Sequence, residues 1–551
     1  MVRTRVIACE LFLALPLLVI GSLAAAQQDG GSILRELERP VPLDERLPAP
    51  EEPDEPEDAG AEGRQVVRIS AITVIGNSRF SDAQLTAALD ERLEEPLTLS
   101  DLEQFTAHIR DYYRREGYLV RVFLPEQTVD DGVLIIRVIE GRPGERSFEI
   151  LPEPDSSRID PDVPSRFIDH ALDQEKLFRI DRLERAERLL NDLPGFEADI
   201  QLSPGRETGR TDITTIIQAT PIFTGRATAD NAGSEATGEA RGIVRADLNS
   251  PLGRGDRWSL TGLETEGNRY FRAQAAMPLG YDGWRFELAG SQLDYELVNE
   301  FAALDVEGDV RNVEANLRYP LLREARGNLY LQASVERSEN EDRAQGAVQE
   351  RREIDAGSLA IEADRRDSFL GGGVNYGRLE LRAGEVSFDI ASAETRELVG
   401  GDFGLLKFSF LRVQSHAGLI SQTASFRVSL EGQYGDSNLP SSERLSLGGN
   451  QSVRAYPPSE ASGDDGLMLS LEWRETLRPQ LSLYGFYDHG WVRERAGAGV
   501  SEQTTDLAGV GLGVIARIGE RVVVDGSVAR RVTEDTGSDD WQGWVSAELA
   551  F

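Results

Sequence analysis

Apolar and polar side chains alternate along the last three-fifths of the chain, residues 222–551. Three segments show the pattern clearly, and their apolar positions are Leu329, Leu331, Ala333 and Val335; Phe426, Val428 and Leu430; and Val545, Ala547, Leu549 and Phe551. Each segment has one apolar and one polar face, as a β-strand does when its two sides meet different surroundings. A soluble β-sandwich alternates as well, but about 330 residues of unbroken strand and turn pattern favour a closed membrane barrel. Sixteen antiparallel strands at about 21 residues each, with turns and loops, use this length.

The preceding part of the chain shows helical and strand periodicities that occur twice in one order. Strand, helix, helix, strand and strand are predicted in residues 66–142 and again in residues 145–220. Two copies of one α+β unit form an internal repeat of about 75 to 80 residues. Tandem modules without a catalytic cluster usually bind another molecule. An exposed edge strand can accept an extended peptide by β-augmentation, although an edge protected by charge is the commoner case.

Helix starts in the first α+β unit are marked by capping residues. Ser81 is predicted to cap a short helix, and Ser100 with Glu103 is predicted to form a capping box for a longer one. Four apolar or aromatic residues share one face of the longer helix: Leu102, Phe105, Ile109 and Tyr112. This face is expected to cover the small sheet.

The first 65 residues are predicted to stay outside the folded modules. Residues 1–26 have the pattern of a secretory signal peptide, with Arg3 and Arg5 before an apolar stretch and three alanines at its end. Residues 27–65 form a linker rich in proline and glutamate. Within it, residues 33–39 have helical spacing, which fits a short helix that docks elsewhere and a nascent helix without a docking site equally well.

Composition and charge exclude several classes of function. The chain has 95 acidic against 59 basic residues, a net charge of -36, so it lacks the phosphate-neutralising charge of a nucleic-acid-binding protein. The only cysteine, Cys9, lies in the predicted signal peptide, and the four histidines are scattered without metal-binding spacing. No enzyme motif, cofactor or metal site is predicted. The pair Asp464 and Asp465 is interpreted as solvated charge rather than a calcium site, and the three glycines at 371–373 as a bend or a close contact rather than a phosphate loop.

Two local motifs in the last third stand out. The first is Val453, Arg454, Ala455 and Tyr456, and the second contains Phe486, Asp488 and Gly490. These residues resemble the two-partner secretion transporters of the outer membrane (TpsB-like, the ShlB/FhaC/HecB type of hemolysin secretion/activation protein), within the POTRA-barrel superfamily. In that family a V-R-G-[YF] motif lies at the tip of an extracellular loop folded back into the barrel, and an F-x-D-x-G motif lies on the inner wall. Ala455 replaces the usual glycine, so if that position needs a positive φ, the tip is strained or differently shaped.

The resemblance implies tandem α+β POTRA domains at 66–142 and 145–220, followed by a transmembrane barrel at 221–551. It implies a protein of the cell outer membrane with its POTRA domains in the periplasm, where they capture an unfolded secreted exoprotein of the hemolysin or adhesin type. The barrel then acts as the gated pore, and the short helix within 27–65 can plug it. The implied surroundings are outer-membrane lipid and the barrel assembly machinery that inserts a monomeric barrel. The alternatives are an assembly factor that inserts other barrels and, third, a passive porin.

The physical chemistry of the two motifs can be stated independently. A guanidinium from the loop, Arg454, can meet a wall carboxylate, Asp488, in a charge-assisted and bidentate contact. Such a contact is expected to latch the loop inside a wide pore while remaining replaceable by an incoming polypeptide. The alternative is an ordinary surface arginine and a wall aspartate that lines a passive channel.

Overall fold

A computed structural model describes residues 29–38, 66–532 and 541–551, with gaps at 88, 90–92, 94–95, 128, 130–131, 152–158, 173–176, 417–422, 498 and 500. The predicted signal peptide and most of the predicted linker lie outside the described residues. Within the described ranges, every helix is too short or too polar to cross a membrane.

Helix α1 (Gly30–Leu37) precedes the first α+β module. The elements of this module are β1 (Val66–Arg68), β2 (Ala71–Ile75), α2 (Asp82–Thr86), β3 (Pro96–Thr98), α3 (Leu99–Arg115), β4 (Val120–Phe123) and β5 (Val133–Glu140). The module is built around a three-stranded sheet of order β2-β5-β4. Ser81 caps α2 as predicted, in a capping box with Gln84. The capping box predicted at Ser100 is wrong, because α3 starts earlier and is capped reciprocally by Thr98 and Asp101. The buried face of α3 contains Leu102, Phe105 and Ile109 as predicted, together with Tyr113. The predicted Tyr112 is half-buried and packs against the same cluster.

The second module repeats the arrangement. Its elements are β6 (Arg142–Leu151), α4 (Asp162–Leu172), α5 (Ile180–Asn191), β7 (Phe196–Pro204) and β8 (Arg210–Ala219), and its sheet has the order β6-β8-β7. Both helices pack on one face of the sheet, where Ile168, Phe178 and Leu190 are fully buried with Ile217 of β8.

Backbone hydrogen bonds join the two modules directly. The N–H of Leu119 donates to the carbonyl of Phe178 at 3.0 Å, and the N–H of Phe178 donates to the carbonyl of Gly141 at 2.8 Å. The N–H of Ile180 donates to the carbonyl of Gly117 at 3.0 Å. Because these bonds cross the boundary between the modules, residues 66–219 are held together as one unit, called the arm below.

Sixteen antiparallel strands then close into a barrel, in which the last strand pairs with the first. The barrel strands are β9 (Phe223–Asp230), β10 (Arg241–Asn249), β11 (Arg257–Glu264), β12 (Asn268–Leu279), β13 (Trp284–Glu296), β14 (Val306–Arg323), β15 (Gly327–Ala344), β16 (Ala347–Asp367), β17 (Gly373–Ile390), β18 (Gly401–His416), β19 (Ala424–Gly435), β22 (Asp465–Arg478), β23 (Leu481–Glu494), β24 (Gln503–Ile518), β25 (Val522–Arg531) and β26 (Trp541–Ala550). A short hairpin, β20 (Leu445–Leu447) and β21 (Ala461–Gly463), lies between β19 and β22, and α6 (Ala393–Val399) lies between β17 and β18.

The alternation read from the sequence separates the two faces of the barrel wall. On β15, Leu331 and Val335 are 37% and 63% exposed, on the outer face. Gln332 and Glu336, between and beyond them, line the internal cavity. The predicted closed barrel with an apolar outside and a polar inside is therefore confirmed.

The second module is fastened to the barrel turns by arginine contacts. The guanidinium of Arg185 on α5 donates to the carbonyl of Pro320 at 2.7 Å. Arg323 of β14 binds the carboxylate of Asp192 at 2.8 and 2.9 Å, and Arg285 donates to the backbone carbonyl of Asp192 at 2.7 Å. These contacts set the arm at the mouth of the barrel.

Glu140, at the end of β5, anchors the loop that follows β2. Its carboxylate accepts hydrogen bonds from the N–H groups of Ser78 and Arg79 at 2.8 and 2.9 Å, from the Ser78 hydroxyl, and from the buried Tyr113 hydroxyl at 2.7 Å. Burial alone would raise the pKa of Glu140, but these hydrogen bonds outweigh burial and hold the pKa below its usual value.

This arrangement makes the stability of the first module depend on pH. Because the pKa is lower in the folded state, the contribution of Glu140 is present at neutral pH and is lost as the pH falls below about 4.3 through the folded-state pKa. We expect Glu140→Gln to reduce protection of β5 from backbone hydrogen exchange by about 1 kcal/mol at neutral pH and to remove this acid dependence. Glu149→Gln, at an exposed position of β6, is the control. An acid response that persists in Glu140→Gln would place its origin elsewhere.

Candidate functional site

The barrel encloses a polar cavity of about 1160 Å³ whose wall is lined by charges of both signs. Many of these charges are paired with a group two strands away or on the same strand. The pairs include Arg318 with Glu362 at 3.0 Å, Arg378 with Glu380 at 2.6 Å, and Arg382 with Glu336 at 2.8 Å. Because acidic and basic groups match along the wall, the lumen is a wet passage without a strong field of one sign.

The segment between β19 and β22, residues 436–464, folds back into this cavity. Its hairpin, β20 and β21, carries an apolar cluster in which Leu447, Val453 and Tyr456 are fully buried. The cluster packs on wall residues Phe486 and Leu507. Apolar packing therefore holds the loop against one side of the wall and leaves the rest of the lumen polar.

The structure brings the two sequence motifs together at the loop tip. The guanidinium of Arg454 binds both oxygens of Asp488, from Nε to Oδ2 and from Nη2 to Oδ1, each at 2.8 Å. Asp488 is fully buried, and it also accepts from the N–H of Arg454 at 3.2 Å and from the Ser470 hydroxyl at 2.7 Å. Arg454 also contacts Glu472 at 3.0 Å. A lysine has no fork to span two carboxylate oxygens, so the geometry is specific to arginine.

The remaining motif residues shape this contact. The ring of Phe486 lies under the Arg454 guanidinium, 3.4 Å from ring centroid to Cζ, in a cation–π arrangement. A side chain at Gly490 would collide with Leu447, so this glycine makes room for the loop. Ala455 does not have a positive φ, and its Cβ fits because Gly509 on the facing strand has no side chain. The replacement of glycine by Ala455 thus leaves the tip unstrained.

Sequence reasoning missed two wall residues that contact the loop tip. The indole N–H of Trp544 on β26 donates to the carbonyl of Arg454 at 2.8 Å. Arg531 on β25 donates to the carbonyl of Ala455 at 3.3 Å, and its Cζ lies 4.4 Å from the ring centroid of Tyr456. The alternation that puts Val545 on the outer face already puts Trp544 on the inner one, but it gives no sign of a partner in a distant loop. The loop tip is therefore tied to the last strand of the barrel as well as to Asp488.

The interpretation of Asp464 and Asp465 as solvated charge is wrong. Their exposures are 0% and 3%. Asp465 binds Arg493 at 2.6 Å and Arg495 at 2.9 Å, and Asp464 accepts from the N–H groups of Leu439 and Arg495, both at 2.8 Å. The pair closes the stem of the loop, because Leu439 lies at its beginning and the two aspartates at its end.

The glycines at 371–373 are interpreted correctly as a bend. Gly371 and Gly372 have positive φ values of 92° and 105° and form the turn between β16 and β17. Gly373 starts β17, where a Cβ would lie 2.8 Å from the Arg412 guanidinium.

Helix α1 lies inside the lumen, which decides between the two interpretations of residues 33–39. Ile33 and Leu34 are buried against Tyr270, Leu293 and Val310 of the wall. The helix begins at Gly30, before the predicted segment, because Asp29 caps it by accepting from the N–H of Ser32 at 2.9 Å.

The start of α1 occupies a charged socket. Asp29 binds Arg352 of β16 at 2.6 Å, and Arg352, 4% exposed, also binds Glu350 at 2.8 Å. A Cβ at Gly31 would lie 2.6 Å from Nη2 of Arg352, so this glycine lets the helix approach the guanidinium closely. The carboxylates of Asp29, Asp342 and Glu350 lie within 4.8 Å of one another, but the Arg352 guanidinium binds two of them and supplies the positive charge of the cluster. The cluster is therefore an ion-paired seat for α1.

The other end of α1 is held as well. The carboxylate of Glu38 accepts from the Tyr270 hydroxyl at 2.7 Å, from Arg272 at 3.0 Å and from the Ser291 hydroxyl at 2.7 Å. Arg35, between the two ends, donates to the carbonyl of Ser442 in the returning loop at 3.0 Å. The helix and the loop thus contact each other inside the lumen, and both border the remaining cavity.

Comparison with known proteins adds independent information. Residues 209–516 match the family described as Haemolysin secretion/activation protein ShlB/FhaC/HecB, and residues 67–141 match the POTRA domain of the ShlB type. The heme/hemopexin transporter protein HuxB of Haemophilus influenzae (strain 86-028NP) is 25% identical over 550 residues, covering 96% of this chain and 96% of its own. The outer membrane transporter CdiB of Escherichia coli is 25% identical over 521 residues, covering 89% and 84%.

Solved structures share the fold. CdiB from Escherichia coli has a TM-score of 0.71 at 23% identity, covering 96% of this chain and 99% of that one. CdiB from Acinetobacter baumannii has a TM-score of 0.68 at 18% identity, with 100% of both chains covered. The order of α+β modules and sixteen-stranded barrel is therefore a known architecture.

The contacts of the loop tip predict a graded response to substitution. We expect release of the tip to increase from Trp544→Phe through Arg454→Lys to Arg454→Ala. The first substitution removes one neutral hydrogen bond, the second removes the bidentate geometry, and the third removes the whole cation. The free energy that holds the tip in place should fall by about 1 kcal/mol in Trp544→Phe and by about 3 kcal/mol in Arg454→Ala. The measurement is the rate at which a cysteine at buried Ser452, in a Cys9→Ser background, reacts with an external maleimide. Equal rates in all variants would mean that packing of Val453 and Tyr456 holds the tip alone.

The seat of α1 predicts a channel phenotype. We expect Arg352→Gln to destabilise the plugged state by about 3 kcal/mol, because Asp29 would then face Asp342 and Glu350 without their shared cation. This corresponds to a roughly hundredfold shift towards the released helix, measured as more frequent conducting events in planar lipid bilayers. The matched control is Arg351→Gln on the outer face, where Arg351 binds Glu341. Equal conductance of the two variants would contradict a role for the socket.

Proposed function

Because the chain belongs to the haemolysin secretion/activation protein ShlB/FhaC/HecB family, we propose that its lumen is the export path and that the Arg454 contact and helix α1 are its two gates. The protein is an outer-membrane transporter of two-partner secretion, which exports a partner exoprotein, and its POTRA portion lies in the periplasm. The family relatives named HuxB, CdiB and ShlB are transporters, so the alternatives of a barrel insertase and a passive porin are not favoured. In this proposal the chain performs no catalysis and needs no cofactor.

The observation that carries the gate proposal is the bidentate contact between Arg454 and the fully buried Asp488. A carboxylate removed from water is stabilised only while it is paired, so an empty latch is unfavourable until water or cargo reaches it. A polypeptide that enters the lumen brings both, since it supplies backbone hydrogen-bonding groups and admits water. The latch therefore stays closed without cargo and opens when cargo replaces its contacts.

We propose that both α+β modules act as POTRA domains and receive the unfolded exoprotein along a sheet edge. Among the described strands of the second module, β7 pairs with β8 alone, which leaves its other edge without a described strand partner. An extended segment can add there through backbone hydrogen bonds, which depend little on sequence. Because the contacts of Asp192 and Arg185 hold this module at the mouth of the barrel, a captured segment is presented to the lumen.

Closure of the barrel supports insertion of a single chain by the barrel assembly machinery. The terminal residue, Phe551, takes part in the seam: its N–H donates to the carbonyl of Gly225 at 3.0 Å, and its own carbonyl accepts from the N–H of Gly225 at 2.8 Å. Every barrel strand comes from one chain, so we propose a monomeric pore.

The decisive experiment measures the partner exoprotein in medium and periplasm. In cells expressing both proteins, we expect Arg454→Ala and Asp488→Ala each to lower the exported fraction at least several-fold while the barrel still inserts. Arg337→Ala, at a half-exposed position of the outer face, is the control and should export normally. Export unaffected by both single substitutions would refute the latch. Loss of other outer-membrane proteins on deletion of the chain would instead support an insertase.

A further inference from the structure

The turn between β16 and β17 displays two large apolar side chains. Phe369 is 64% exposed and Leu370 is 67% exposed. Leu370 has a φ of 50°, in the left-handed region that residues with a branched side chain rarely adopt. An exposed apolar pair on a strained backbone lowers stability in water, which points to an apolar contact outside the barrel itself.

A dedicated set of polar side chains holds this turn in place. The amide of Gln414 on β18 donates to the carbonyls of Phe369 and Leu370, both at 3.1 Å, and to that of Gly372 at 2.7 Å. Gln414 itself is only 7% exposed. Arg412 binds Asp367 at 2.8 Å, and its Cζ lies 5.6 Å from the ring centroid of Phe369. The exposed pair is therefore fixed against β18.

The turn lies on the outer face of the barrel. Gln414 pairs in register with Phe426, which pairs with Trp473, and directly opposite residues of antiparallel strands share a face. The alternate residues of these strands, among them Arg427 and Glu472, line the lumen. Gln414 is thus about 5 Å, one strand spacing, from an outward aromatic pair. The turn therefore lies outside the lumen, next to the lipid-facing side of the wall.

Other aromatic residues mark the same border at the periplasmic ends of the strands. Trp284 stacks on Tyr319 with centroids 4.5 Å apart, Phe426 is 6.5 Å from Trp473, and Phe223 is 5.8 Å from Phe551. Aromatic girdles of this kind lie at the interface between lipid and water. The exposed pair at 369–370 continues this girdle over the eighth and ninth strands, directly opposite the seam of the sixteen-stranded barrel.

We propose that Phe369 and Leu370 form a lipid anchor that inserts into the periplasmic leaflet of the outer membrane. Phe223 and Phe551 occupy the border at the seam, and the anchor occupies it on the opposite side. Together they fix the height and tilt of the barrel in the bilayer. Gln414 is a positioning residue of the anchor, because it holds the backbone in the conformation that presents both side chains to lipid.

The test uses single cysteines carrying an environment-sensitive fluorophore in the full chain, in a Cys9→Ser background reconstituted into phospholipid vesicles. Leu370→Cys reports the anchor. Leu512→Cys, 69% exposed on the outer wall of β24, is the lipid control, and Glu520→Cys, in the exposed turn between β24 and β25, is the water control. Spin-labelled lipid should quench the probe at 370 as it does at 512, and aqueous iodide should quench only the probe at 520.

A second variant separates the anchor from simple proximity to the bilayer. Adding Gln414→Leu should transfer the probe at 370 from the lipid to the aqueous pattern while the probe at 512 stays unchanged. A probe at 370 that behaves like 520 in the otherwise unaltered chain would overturn the proposal. So would a cysteine at 370 that cross-links to the exported polypeptide, which would make the turn a cargo contact. Neither result bears on the latch at Arg454.

Discussion

The absence of water in the hydrocarbon layer is the constraint on which this structure depends. A β-strand in lipid must pair both of its edges, so the sheet has to close, and β26 returns to β9. Closure of sixteen strands encloses a passage, and its wall is free to be polar because only the outer face meets lipid. The same constraint explains why a chain of net charge -36 can cross a membrane. The charged side chains on the membrane-spanning part of the strands point into the lumen, where arginines and glutamates pair.

A passage of this width has to be filled when no polypeptide is in transit. The protein uses two segments of its own, and they are held by different physical means. The returning loop combines a dry cluster around Val453 and Tyr456 with one charged contact to Asp488, whereas α1 rests on the wall through apolar residues along its length and charged groups at both ends. Charged contacts in a wet lumen can be exchanged for other polar groups at little net cost, and apolar packing supplies the resting stability.

Features fixed by local chemistry could be read from the sequence, and features that depend on distant partners could not. The alternation on β15 follows directly from the contrast between lipid and water, and Ser81 caps its helix through neighbours in sequence. The prediction for the cap of α3 lies two residues too late, because Thr98 and Ser100 carry equivalent hydroxyls and only the course of β3 selects between them. Asp464 and Asp465 gave a wrong interpretation because the arginines that bury them come from another strand. The motif pair suggested that Arg454 meets Asp488, but the support from Trp544 required the closed barrel.

The contacts between α1 and the returning loop have one further consequence. Asp29 bonds the Ser441 hydroxyl, and Arg35 bonds the Ser442 carbonyl, so one short stretch of the loop touches both ends of the helix's first two turns. Displacing either α1 or the returning loop removes hydrogen-bond partners from the other segment, so the release of one favours the release of the other. The displacement of the helix and the loop is therefore cooperative. A small thermal displacement of one segment is opposed by its contacts with the other, so the pore stays closed to solutes until both segments are displaced together.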